Sequence, residues 1–162
     1  MNDASAIQTT ETSTVSVIRS ILLGILILGM LGTGTELLLI KHTEDFKQWV
    51  PLVLILSSLC ILAWYGVVGG RLSMRLFQVT MAAFIGAGLA GFYLHYQGAV
   101  EFKLESNPSL TGSALFWEAM RGKAPPPLAP GIMIQLGLIG LAYAYRHPAM
   151  SSSTSDPENK GE

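Results

Sequence analysis

Glu36 is the residue whose type and position are hardest to explain as packing alone. It lies about four residues before the end of an apolar run that starts near Ile18, roughly 6 Å below that end at a helical rise of 1.5 Å per residue. A carboxylate at that depth in a bilayer is costly, and a functional role is the first hypothesis for it. Gly29, Thr33 and Glu36 follow i, i+4, i+7 spacing and Gly32 joins them. The pattern predicts a small, polar stripe turned into a helix bundle.

His95 is the expected partner. Gly88, Gly91 and His95 fall at i, i+3, i+7 in a third apolar run. The first and third runs cross a membrane in the same direction, so Glu36 and His95 belong near one face, together with His42 and Glu101. Glu36 and His95 are expected to meet there, directly or through one water. Two histidines and nearby carboxylates are donor types that suit a metal, a haem or a quinone headgroup. Their spacing argues against it: no ligand pair lies at i, i+4, and His42 sits in a turn. No cofactor is therefore predicted. Haem or quinone at His42 and His95 is the form one would take.

Other polar residues read more simply. Gln135, inside the last apolar run, is expected to link helices through its amide. Cys60 excludes an intrachain disulfide and any Cys-x-x-Cys motif, and reads as a small packing residue. Met30, Met81 and Met133 read as gap fillers. Ala83, Ala87 and Gly91, and again Ala82, Gly86 and Ala90, repeat every fourth residue, a pattern that permits close helix contact on more than one face. No Gly-x-Gly-x-x-Gly, Walker, His-Glu-x-x-His or Gly-x-Ser-x-Gly motif occurs, so no enzyme class is supported.

The elements that must position these residues are set by hydropathy. Half of the 162 residues are hydrophobic and only 13% are charged. The mean hydropathy is +0.45 although both ends are polar. A soluble domain this poor in charge would struggle to cover its surface, whereas lipid covers apolar surface directly. Spanning the hydrocarbon core takes about 20 apolar helical residues. Four runs qualify, at about 18–40, 50–68, 76–96 and 128–145. The predicted fold is an all-α integral membrane protein with four transmembrane helices. Tyr and Trp residues near the run ends match the headgroup level.

Between the third and fourth spans, Ser109–Met120 is expected to form a short amphipathic segment on the bilayer surface. Residues 1–16 and 148–162 are expected to be polar and without fixed structure, flanking a transmembrane domain over 17–147. The run after Arg19 is too long for a usual signal peptide and reads as a retained helix. A net charge of -1 offers no footprint for nucleic acid.

The expected setting is the cell (inner) membrane, with several passes. Arg19, Arg71, Arg75 and Arg146 flank spans tightly on the side of the termini, which places both termini in the cytoplasm. The leading functional expectation is an accessory or assembly subunit of a larger membrane complex, partnered by another membrane protein or by copies of itself. One alternative is a proton- or ion-coupled transporter using Glu36. Another is a redox or cofactor-binding subunit using His42 and His95.

An even number of spans puts Ser5 and Ser152 on one side of the membrane. With each replaced by Cys in a Cys60→Ser background, an impermeant thiol reagent should label both from the same side. Labelling from opposite sides would remove the fourth span.

Overall fold

The computed structural model describes residues 2–122 and 128–151, and every regular element among them is helical. Three helices are long and apolar enough to cross a membrane: α1 (Asn2–Leu39), α2 (Phe46–Val68) and α3 (Arg71–Ser106). They are followed by α4 (Gly112–Met120), α5 (Gly131–Ala144) and a short α6 (Pro148–Ser151). The principal neighbours run α1–α2, α2–α3, α3–α5 and α5–α1, so four helices close a ring with α1 and α3 on its diagonal. α4 and α6 both pack on α3.

Several boundaries differ from the sequence expectation. The segment 2–16, expected to lack structure, continues α1 as helix from Asn2. Once the downstream turns exist, extending a helix avoids the cost of nucleation. α2 begins four residues before the expected span, which moves Pro51 from the first turn into the second. α3 is far longer than the expected 76–96. Its 36 residues extend about 54 Å, against a hydrocarbon core of about 30 Å. The α2–α3 connection is only Gly69 and Gly70, with φ of 69° and 103°. Side chains rarely adopt that backbone, so two glycines are what let the chain reverse there without a longer loop.

α5 is shorter than the expected run 128–145. Its 14 residues extend about 21 Å. α4 covers the latter part of Ser109–Met120 and is tied to the extension of α3 by a Lys103–Glu118 ion pair at 3.1 Å and by Tyr96 against Phe116. The tail begins with α6 packed on α3. Residues 152–162 lie outside the described residues.

The core is small and built from large side chains. Phe77, Phe84, Leu26, Met30, Met74 and Met81 are buried completely or nearly so, and Met133 is buried with them. The three methionines expected to fill gaps all do so. Much of the remaining apolar surface is exposed, including Leu28, Val67 and Val79, as suits a surface wetted by lipid.

The tightest seam joins α3 to α5 and is made by glycines on both sides. A Cβ on Gly88 would lie 2.6 Å from Ile134 Cγ1 and 3.0 Å from the Ile134 backbone nitrogen. One on Gly91 would lie 3.0 Å from Pro130 Cβ. From the other side, Gly137 would place a Cβ 2.7 Å from the Met81 carbonyl oxygen, and Gly140 would drive one into the Met81 side chain. Gly137 and Gly140 are packing residues that the sequence reading did not single out; their i, i+3 spacing was the signal.

Gly88→Leu should therefore damage the fold, by about 1–3 kcal/mol or more for overpacking against backbone. Leu89→Ala should not, because Leu89 is exposed on α3. Yield, monodispersity and melting temperature in detergent measure the difference, and equal behaviour of the two variants would place Gly88 outside the seam.

Candidate functional site

The structure gathers polar side chains at the two ends of the bundle. At the end that carries the α1–α2 turn, His42 and His95 come together with ring centroids 6.4 Å apart and planes tilted by 47°. Both rings are half-buried. The turn is firmly built. His42 N–H donates to the Leu37 carbonyl at 2.9 Å and Lys41 N–H to that of Leu38 at 3.1 Å, which closes α1 with a Schellman motif. Lys41 supplies the left-handed residue of that motif at φ 54°. From the first turn of α2, Gln48 Oε1 accepts from the Glu44 N–H at 2.8 Å, and Trp49 Nε1 donates to the Thr43 carbonyl at 3.1 Å. His42 thus projects from a segment whose backbone is pinned on both sides. Burial lowers the His42 pKa, and the neighbouring His95 lowers it further.

Glu36 does not take the expected place. The buried line of α1 is Leu26, Met30 and Gly34, at four-residue spacing. Glu36 lies roughly 120° round the helix from Met30 and is exposed. Gly32 is exposed, and a Cβ added there would have nothing within 4 Å, whereas one on Gly29 would meet Leu136 at the edge of the seam. The imidazole that packs against His95 belongs to His42. Large apolar side chains fill the interior of this bundle, so Gly32 and Glu36 face outward, while Gly29 stays in contact with α5 and Thr33 is half-buried. Gln135 is likewise exposed on α5, in line with Ile132 and Leu138, instead of linking helices inside. Cys60 is exposed on α2 and packs nothing in the core. On α3, Gly88 is buried and Ala87 and Gly91 half-buried, while Ala82, Ala83, Gly86 and Ala90 face outward.

At the opposite end lies a cluster that sequence reasoning missed. His147, 8% exposed, is wedged between Tyr65 at 5.3 Å and Tyr143 at 5.4 Å, and Tyr143 meets Phe77 edge-on. Arg19 Nη2 donates to the carbonyls of Tyr145 at 3.1 Å and Arg146 at 2.9 Å. Gln78 Nε2 donates to the Ala144 carbonyl at 3.3 Å. These acceptors belong to the end of α5, where helix carbonyls lack intrahelical donors, and a guanidinium there also favours the helix dipole. Arg146 stands at φ 45°. It and Lys41 are the non-glycine residues at positive φ among those described, and each immediately precedes an inward-turned histidine. The i, i+4 relation of Tyr143 to His147, followed by Pro148, was the available signal.

Among the described residues, no three His, Cys, Asp or Glu side chains converge as a metal-binding group. Comparison of the chain with protein-family models, with curated proteins and with solved structures gives no match.

His147 sits beyond α5, and its pKa is lowered by burial and then by the Arg19 charge. Its neutral form is therefore favoured by folding. The unfolded chain takes up the proton near pH 6.5 and the folded chain only at lower pH. Stability is fully present above about pH 6.5 and falls as the pH drops below it. His42 carries a shift of the same sign. The melting temperature in detergent should fall between about pH 7.5 and 5.5. His147→Gln and His42→Gln together should flatten that slope; an unchanged slope would show that neither histidine is favoured neutral.

Proposed function

We propose that this protein is a small accessory or assembly subunit, docking sideways against another membrane protein within a larger complex. The observation that carries this reading is the outward position of Gln135. An amide near the bilayer interior has no water to bond and gains by pairing with a polar group on a neighbouring helix. Exposed Ala82, Ala83, Gly86 and Ala90 supply a second feature, a surface of α3 on which another backbone can approach closely. The outward carboxylate of Glu36 fits a subunit surface better than a coupling site for ion transport, which needs a path through the protein.

In this reading the protein resides in the cell membrane, and α5 is the fourth crossing. Its N-terminal end packs at the level of Gly91 and its C-terminal end is held by Arg19 and Gln78, so it runs beside α3 over about 20 Å. The turn at 128–130 extends α5 at its N-terminal end. Both termini then lie on one side, the cytoplasmic one, flanked by Arg19, Arg71, Arg75 and Arg146. α4, with Phe116 and Trp117 partly exposed, rests at the surface of the opposite face.

Native gels of mildly solubilised membranes test the proposal. The 17.4 kDa chain should run in a larger band that contains a second membrane protein. Gln135→Leu and Gly86→Leu should release it while leaving its own stability within about 0.5 kcal/mol of wild type, as for surface substitutions. A larger band containing this chain alone would replace the partner with further copies of itself. A monomeric wild-type chain would end the subunit reading.

A further inference from the structure

We infer that His42 and His95 form a two-imidazole ligand pair for a transition-metal centre, either haem iron or a free first-row divalent ion. This inference does not rest on the subunit reading. It starts from the 6.4 Å between ring centroids. A metal–nitrogen bond to histidine is about 2.0–2.1 Å, and the ring centre lies about 1.2 Å behind the bonded nitrogen. Two imidazoles on opposite sides of one metal therefore have centres about 6.4 Å apart, while a tetrahedral angle brings them to about 5.2 Å. The observed separation lies within the reach of two imidazoles that share one metal ion.

The surroundings favour ligation over simple packing. Imidazole suits iron, copper, nickel and zinc. Each ring has two nitrogens, so one can bind a metal while the other keeps a hydrogen bond that fixes the ring. The backbone of His42 is held by the Schellman motif and by Gln48 and Trp49, and His95 stands on the continuous helix α3. Two ligands from separate, rigid elements need little ordering when a metal arrives. Half-burial leaves the pair reachable from the membrane surface. Among the described residues no third His, Cys, Asp or Glu completes a group of three. The remaining positions would thus be filled by porphyrin nitrogens or by water, which fits haem or an open ion site and not a closed structural zinc.

The purified protein in detergent should be titrated with hemin and, separately, with Cu2+. If the centre is haem, hemin should bind at one equivalent with the absorption and electron-spin spectra of low-spin, bis-imidazole iron. If it is a free ion, hemin should fail to do so, and Cu2+ should bind with hyperfine structure from imidazole nitrogens. In either case His42→Gln and His95→Gln should each weaken binding by more than about 100-fold, since loss of an outer-sphere partner alone costs about 10–100-fold. Monodispersity checks that each variant folds; should His95→Gln fail it, His42→Gln, in the turn, asks the same question. No binding of either probe, or binding that both variants retain, would overturn the inference.

Discussion

The glycine seam between α3 and α5 is the contact on which the other arrangements depend. Glycines on both helices remove side chains at the crossing, and the partner's Met81, Ile85, Ile134 and Pro130 fill the space. In lipid, apolar surface gains nothing from leaving water, so helices associate through packing contacts of this kind and through interhelical hydrogen bonds. The seam fixes the height of α5 along α3. That height brings Ala144 to Gln78, the last carbonyls of α5 to Arg19, and His147 between Tyr65 and Tyr143. A sliding of α5 by a single helical turn, about 5.4 Å, would break all of these at once.

The two histidine sites share a construction. In each, a helix ends, a basic residue takes the left-handed backbone, and the next residue is a histidine that turns back towards the bundle. A non-glycine residue in that region costs roughly 1–2 kcal/mol. At Lys41 the cost is offset by two hydrogen bonds that satisfy terminal carbonyls of α1, and at Arg146 by the two that Arg19 donates. The strain is thus tied to redirecting the chain at the membrane surface, where a lysine or arginine can keep its charge in water. The sites differ in the company each histidine keeps. His147 is enclosed by aromatic rings and serves the fold, while His42 faces another imidazole and stays accessible.

The three long helices were legible because length and apolar continuity decide them, and the bilayer thickness sets the threshold. Gly88 was legible because a small residue in register with others has few uses besides close contact. The inward faces were much less so. In a soluble helix, polar residues mark the solvent side. In a lipid-facing helix, both sides are apolar, and a small or polar residue is consistent with the interior or with an outer contact. That ambiguity is why the residue pattern turns Glu36 and Gln135 inward while the structure turns them outward. The pairing of His42 with His95 was half legible: the common face followed from helix direction, but which residue of the turn reaches across depends on the backbone at Lys41. His147 was overlooked because, apart from Tyr143 four residues before it, its neighbours come from separate helices, Tyr65 on α2 and Arg19 on α1, and no local spacing records those.

The two outward polar residues are not equivalent, and their depths say why. Glu36 lies roughly 6 Å from the end of the expected span, within reach of a side chain that bends towards the headgroups. Its exposure alone therefore demands no partner. In the proposed arrangement, with α5 as a fourth crossing, Gln135 has no such exit. Pro130 packs against Gly91, five residues short of Tyr96, so α5 starts about 7 Å below the level of that aromatic residue. Gln135 lies about 6 Å deeper again, and about 15 Å from Tyr145 at the other end. An amide with two donors and an acceptor at that depth either folds back on its own helix or bonds a neighbour, and the neighbour within this chain is on the wrong side of α5. An outer helix contributed by another chain would satisfy it, and the exposed small residues of α3 are consistent with a bundle whose outer surface is in part an interface and only in part a boundary with lipid.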